Sequence, residues 1–578
     1  MNKSAIAWLV SSILALNACS GGQQPVSANA TPDQPAKPTL GIRPNGDTEL
    51  SPDMTLVKSD ELKKVFEYID THIDDHVVNL QKWIQQPSIS NSGEGIPESA
   101  EMVKGFFEQL GCQESRVYDV GTTEWGAQGN PVVFAKCNEG APKTLVIYWM
   151  YDTMPVTQPD VWVSPPFEGR LVEQAPFKKV LIGRGATNSK GPQMAMLNAL
   201  MSIKAVTGTL PVNIMFVAEG DEERMDVGLR QFMKDHKDLL AGADAMWGDG
   251  GQAPSGRSNV SEGNSEGCVY VEITTSGTKW GRGPTVSDIH GGNKRSVDSP
   301  AWRHIKAIAS LVSEDGNTAK IDGFYDDAIK PSAARLAGYK EAAKSFDVEE
   351  AARNLGVARF ISDKPEDILR DRNWISFNMD GIWGGNMYAG GAGAILPNKI
   401  TSKHNIRYVP NMKGPDLVAK LKKQLIKNGY PDVEVKIIGD VPWREGKLAG
   451  DLPMAQSRAL DIMRIPHNVP KMDVTTAGGY WPAYLFGSDY EGGDQRPDFE
   501  RRRRLRRQCA RGQRVLCDRR GRQGVRYGRR REDAGSGAVQ LRGQELVDID
   551  ERQPSRHGES RRFEFSSPWD AVSLRLRP

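Results

Sequence analysis

The sequence predicts an α/β protein: a mostly parallel sheet with helices on both faces, interrupted by a smaller α+β domain. Three observations predict it. Apolar runs at 131–135, 144–149 and 212–218 read as strands, and helical spacing at 100–110 and 192–203 alternates with them, the order expected of a sheet covered on both sides. A glycine-rich turn at 183–191 joins strand to helix, where a backbone can approach a ligand closely and where α/β enzymes place their chemistry. From Cys268 the texture changes to that of a separate, smaller unit. At 578 residues the chain also exceeds a single compact core.

Residues 1–19 read as a lipoprotein signal peptide. Lys3 supplies the positive charge, 5–16 is apolar but too short to span a bilayer, and Leu16-Asn17-Ala18-Cys19 resembles a bacterial lipobox that would acylate Cys19. An ordinary cleaved signal is the alternative. The expected address is the bacterial cell envelope, lipid-anchored and facing the periplasm, with Ser20 pointing to the outer membrane. Residues 20–57, rich in Pro, Ala, Gln, Asn and Gly, read as a flexible linker.

The first part of the α/β domain is read at 58–266. It opens on a helix at 61–86, in which Leu62, Val65, Phe66, Ile69, Ile73, Val77, Leu80 and Ile84 recur at helical spacing. His72 and His76 lie one turn apart on it, a spacing able to bind metal, but they fall on the polar side and read as solvated. Cys112 and Cys137 lie in a compartment that permits a disulfide; Cys268 reads as core. The smaller domain, 267–440, has strands at 268–275, 399–410 and 432–438, helices at 299–312 and 416–427, and an Ala-rich helical insertion at 326–355. Residues 441–490, with a helix at 453–463, return to the first domain.

Beyond 490 the composition changes. No lysine follows Lys471, an arginine-dense run extends from Arg501 to Arg531, periodicity is lost, and His557 is the last histidine. A basic nucleic-acid-binding tail is one reading. A frame change around 487–494 is the other, and it accounts for the loss of regular elements as well as the arginines, so no nucleic-acid partner is assigned. The net charge of +2 argues neither way.

The motifs fall in order. Tyr148-Trp149-Met150-Tyr151-Asp152-Thr153-Met154-Pro155 ends a strand, and Gly183-Arg184-Gly185-Ala186-Thr187-Asn188-Ser189-Lys190-Gly191 follows. Glu219-Gly220-Asp221-Glu222-Glu223 ends the next strand and Trp247-Gly248-Asp249 the one after. Asp288-Ile289-His290-Gly291-Gly292 and Arg407-Tyr408-Val409-Pro410-Asn411 come later. A paired metal site needs carboxylates and imidazoles on convergent strand ends, and adjacent acids such as Glu222 and Glu223 suit a division into base and ligand. A Glu-Glu pair elsewhere would be solvated surface, and a glycine-flanked Asp249 is also a good turn residue.

This order resembles the aminoacylase, carnosinase and glutamate-carboxypeptidase family of co-catalytic zinc metallopeptidases over about residues 60–490. The resemblance implies a zinc-binding α/β domain interrupted by a smaller lid or dimerisation domain, two Zn2+ ions, and a peptide or N-acyl amino acid substrate cleaved by a metal-activated water. It implies Glu222 as general base, Glu223 and Asp249 as metal ligands, and Asp152 as the carboxylate that orients a metal histidine. It implies His290 on the oxyanion, Arg407 on the substrate's carboxylate, Asn378 and Gly385 facing substrate, and a homodimer through the lid.

Two positions depart from the family. Met150 stands where the resemblance expects the first histidine ligand, and a thioether is a poor partner for zinc beside carboxylates. Asn188 stands where it expects the bridging aspartate, and an amide lacks the shared negative charge. The last ligand, a histidine near the family's C-terminus, has no counterpart before the arginine-rich tail. His304 and His404 fall outside the motifs and read as lid surface or packing. Two functions follow: a metallopeptidase acting on dipeptides or N-acyl amino acids, or a relative without metal chemistry that binds peptides or acts at the envelope.

Overall fold

The computed structural model describes residues 52–486, except 175–176, 249–257, 260–264, 388–389, 391–392, 445–450, 466 and 469–478. The signal peptide with Cys19, most of the linker, Asp249 and the tail at 491–578 lie outside the described residues.

Helices α1 (Asp60–Thr71) and α2 (Ile73–Gln85) replace the single helix expected over 61–86. Ser59 caps α1 by accepting from the Leu62 amide, as a short hydroxyl side chain does for an unpaired first-turn N–H. The break falls at His72, which leaves helical dihedrals (φ −115°, ψ 16°) while its ring stacks on Tyr68 at 3.8 Å. His72 and His76 are half-buried rather than solvated.

Next come α3 (Ile96–Leu110), β1 (Glu114–Tyr118), β2 (Val132–Cys137), β3 (Thr144–Met150), the hairpin β4 (Arg170–Gln174) and β5 (Phe177–Ile182), α4 (Gly191–Thr207), β6 (Asn213–Glu219), α5 (Val227–His236) and β7 (Ala245–Trp247). The main sheet has the order β1-β2-β6-β3-β7. It is mixed rather than mostly parallel. β6–β3 and β3–β7 pair parallel, whereas β1–β2 and β2–β6 pair antiparallel. The reason is local: β1 and β2 are joined by a loop without a crossover helix, and such a link returns the chain antiparallel. A disulfide between Cys112 and Cys137 ties the end of α3 to the end of β2.

Strict alternation along the strands gives the sheet two apolar faces. Val146, Tyr148 and Met150 of β3 join Val132, Phe134, Met215 and Val217 against α5 through Leu229, Phe232 and Met233. Ile147, Trp149 and Tyr151 join Val133, Ala135, Ile214 and Phe216 against Trp83, Val103, Phe107 and Leu197 on the other side. Each such buried side chain contributes about 1.5–3 kcal/mol, so this pairing of faces holds the strand ends that carry the motifs in register.

After the short strand β8 (Ser258–Asn259) the chain enters the lid. Its elements are β9 (Gly267–Ser276), α6 (Gly277–Trp280), β10 (Ile289–His290), α7 (Pro300–Ala309), α8 (Ala333–Ala343), α9 (Val348–Leu355), α10 (Pro365–Asp371), β11 (Ser376–Trp383), β12 (Ile395–Leu396), β13 (Lys399–Tyr408), α11 (Gly414–Lys427) and β14 (Glu434–Val441). The lid sheet, β11-β13-β9-β14, is antiparallel, with α7 and α11 burying Ala307, Leu417, Leu421 and Leu425 against it. The helical insertion expected over 326–355 holds two helices: Ser332 and Asp347 each cap a start by accepting from the third residue on. β11, with mostly exposed side chains and a bulge between Met379 and Gly381, lacks the alternation that marks a strand in sequence. Beyond β14 lie α12 (Asp451–Ile462) and β15 (His467–Asn468), which pairs with β8. The turn Pro482–Phe486 then buries Tyr484, Leu485 and Phe486 in the same apolar face as Tyr148.

Candidate active site

β3 and β6 are parallel neighbours, with Met150 opposite Glu219, so the residues just past both strands emerge on one edge of the sheet. There Asp152, with no exposed surface, accepts the amide of Glu222 at 3.2 Å on Oδ1 and that of Glu223 at 3.1 Å on Oδ2. One carboxylate thereby fixes the turn that presents both glutamates. Burial pushes the Asp152 carboxyl up to about 6, against the pull of those two amides.

The turn before α4 supplies the third wall. Asn188 donates from Nδ2 to Glu223 Oε1 at 3.2 Å, and its Oδ1 accepts from the Ser189 hydroxyl at 2.8 Å. Gly185 takes φ +82° there, and a Cβ on it would stand 2.8 Å from Thr153, so only glycine fits. Lys190 is buried and donates to the carbonyls of Trp83 (3.1 Å) and Gln86 (2.8 Å); burial pulls its amine down to about 7, while Asp152 opposes. Burial pushes Glu223 up to about 8, with the Asp152 charge adding and Arg184 opposing. Arg184 lies over the Trp162 ring at 5.1 Å and donates to the Pro155 carbonyl at 3.3 Å.

Beneath this edge lie acids to which sequence reasoning gave no role. Glu219 is fully buried and accepts from the Tyr148 hydroxyl at 2.8 Å. Asp221 accepts the Asn130 amide at 2.7 Å and pairs with Arg224 at 3.0 Å, and burial pushes it up to about 7. Asp226, at φ 55°, is buried close to Glu222 and Glu219, and burial holds its carboxyl well above the usual range. The motif around Glu222 contained two of these acids; nothing in it marked them as buried.

From the lid, Arg407 donates to Glu266 at 2.9 Å and stacks on Tyr480 at 4.6 Å. Burial, with Glu222 and Glu223 among its neighbours, holds the Tyr480 phenol well above its ordinary value. Tyr480, unassigned from sequence, is thus the ring on which Arg407 rests. Asn378 donates to Asp380 at 2.9 Å, and Asn405 donates to the same oxygen at 2.7 Å. Gly385, at φ +67°, sits against Pro397. His290 is exposed, and its Nδ1 accepts the Gly292 amide at 3.2 Å. Asp152, Asn188, Glu222 and Glu223 are therefore brought together, whereas the contacts of His290, Asn378 and Gly385 lie within the lid. His304 and His404 are lid packing: both are buried, and the Ser402 hydroxyl lies 2.8 Å from Nε2 of each.

Among the described residues the donor set does not fit a pair of zinc ions. Met150 is 3% exposed and belongs to the apolar face under the sheet. Both ends of the Asn188 amide are engaged by protein. Among the described residues no group of three or more His, Cys, Asp or Glu side chains is arranged to hold a metal ion.

The chain is 27% identical over 388 residues to the Beta-Ala-His dipeptidase of Homo sapiens, covering 64% of this chain and 71% of that protein. It is 27% identical over 380 residues to the Cys-Gly metallodipeptidase DUG1 of Saccharomyces cerevisiae, covering 63% and 76%. Among solved structures it resembles the M20 family metallo-carboxypeptidase Sso-CP2 of Sulfolobus solfataricus, with TM-score 0.60, 28% identity, and coverage of 73% of this chain and 89% of that one. The sequence profile of Peptidase family M20/M25/M40 matches residues 149–445, a span that holds the strand ends, the glycine-rich turn and the whole lid sheet, and the chain belongs to that family.

Proposed function

We propose that this chain hydrolyses the amide bond of dipeptides, or of N-acyl amino acids, whose C-terminal residue carries a free carboxylate. The observation that carries the reading is the turn Glu222–Arg224 clamped onto Asp152 at the edge of the sheet, in a member of a peptidase family whose similar proteins include a Beta-Ala-His dipeptidase and a Cys-Gly metallodipeptidase. Glu222 is the base that takes the proton of the attacking water, because its backbone is fixed and its carboxyl is shielded from bulk solvent. Arg407, oriented by Glu266 and Tyr480, holds the substrate carboxylate, and His290 with Asn378 and Gly385 completes the lid side. No step is assigned to a metal, since the residues at hand do not fit the family's pair.

A panel of dipeptides including β-Ala-His and Cys-Gly tests this reading. Turnover in the purified chain that falls at least about 10³-fold in Glu222→Gln, with unchanged folding by circular dichroism, is the expected result. Unchanged rates in Glu222→Gln remove it as the base; no turnover of any substrate favours a peptide-binding relative.

Two further parts of the proposal concern the setting. Acylation at Cys19 anchors the chain to the bacterial envelope, facing the periplasm; radiolabelled palmitate incorporation that vanishes in Cys19→Ala is the expected result. The lid pairs with a second copy: Met379, Ile382 and Trp383 expose apolar surface on β11, the edge strand of the lid sheet among the described residues. Light scattering is expected to give twice the chain mass.

A further inference from the structure

Asn188 engages Glu223 in a way that matters for cations. A bridging position works when an anionic side chain offers two lone pairs to two metal ions. Asn188 offers the opposite. Its Nδ2 points hydrogen at Glu223 Oε1 at 3.2 Å, and its Oδ1 is taken by the Ser189 hydroxyl at 2.8 Å. Glu223 is therefore supplied with a hydrogen-bond donor by the protein itself. Met150 adds no ligand, since its thioether is packed with Tyr148, Met215 and Val217 on the apolar face below.

We infer that Asn188 satisfies Glu223 in place of metal, so that this chain binds fewer than two metal ions and Glu223 is not a metal ligand in it. The inference rests on the proposed function only in taking the Glu222–Glu223 turn as the catalytic edge. It predicts a site whose cation content changes with two side chains: restoring an anion at 188 and an imidazole at 150 recreates the missing donors.

The test uses the full chain incubated with excess Zn2+, desalted, and measured for zinc per chain by mass spectrometry. The wild type is expected to retain fewer than two equivalents. The M150H/N188D variant is expected to gain about one equivalent, with a melting temperature that rises on adding zinc, because an aspartate facing Glu223 repels it until a cation intervenes. Should the double variant fail to fold, E223Q decides: unchanged zinc content supports the inference and a loss of zinc overturns it. Two zinc ions in the wild type, or a folded double variant no richer than wild type, also overturns it. Dipeptide hydrolysis measured on the same samples is read separately: absent turnover with fewer than two zinc ions counts against the proposed function and leaves this inference standing.

Discussion

Asp152 shows how much one carboxylate can organise. Its two oxygens accept two successive amides, those of Glu222 and Glu223, so replacing it by asparagine leaves one acceptor and turns an NH2 group toward a backbone N–H. Asp152→Asn is expected to cost about 1–3 kcal/mol in urea unfolding and to lower kcat/KM for dipeptides about 10- to 100-fold, as loss of a supporting partner does. An unchanged kcat/KM with lowered stability would show that the turn keeps its shape without the clamp. At this scale the sequence was legible where an acid sits in a motif. Asp152, Glu222 and Glu223 could be named because their neighbours form a recognisable phrase. Glu219 and Asp226 could not, since an acid looks the same in sequence whether it is solvated or buried beneath a sheet. Tyr480 was missed for a related reason: its partner, Arg407, comes from a segment far away in the chain.

Elements were legible in proportion to their burial pattern. β2, β3 and β6 are covered on both faces and read as continuous apolar runs, so they were placed to within a residue or two. β11 is an exposed edge with a bulge and gave no signal, although Asn378 lies on it. The split of the first helix at His72 was hidden because the apolar spacing continues across it. The lid carries its own test. Thr275 on β9 lies 2.9 Å from His304 Nδ1, and Ser402 links His304 to His404, so β9, α7 and β13 meet in one buried chain of neutral groups. Burial holds both imidazoles down to about 4. Between that value and 6.5 the unfolded chain takes up protons that the folded lid refuses. The contribution is therefore complete above pH 6.5 and is lost as pH falls toward 4, by at most about 3 kcal/mol for each histidine. Urea midpoints at pH 7 and pH 4.5 should diverge less in His304→Gln than in wild type; an equal divergence would assign the acid sensitivity to other groups.

The whole molecule depends on where the lid is rooted. Ser265 and Arg444 exchange backbone hydrogen bonds, the Glu266 amide donates to Gly479 O at 3.1 Å, and Arg230 of α5 donates to Asp440 O at the end of β14. Behind the catalytic turn the lid comes close at Gly439, which follows the bulge of β14: a Cβ there would stand 2.5 Å from the Cβ of Met225. Met225 itself ends the turn that begins at Glu222, with φ 69°. A methyl group at 439 must therefore push either the lid strand or the catalytic turn. Gly439→Ala is expected to cost about 1–3 kcal/mol, the usual range for overpacking. Dipeptide turnover should fall further than that loss of stability explains, because the displaced residue is three places from the base. Pairing it with Met225→Gly, which removes the opposing Cβ at a φ of 69° that glycine adopts freely, should recover both quantities beyond additivity, the signature of direct contact. Additive effects in that double-mutant cycle would mean that lid and turn move independently, and the lid would then be a cover rather than part of the site's alignment.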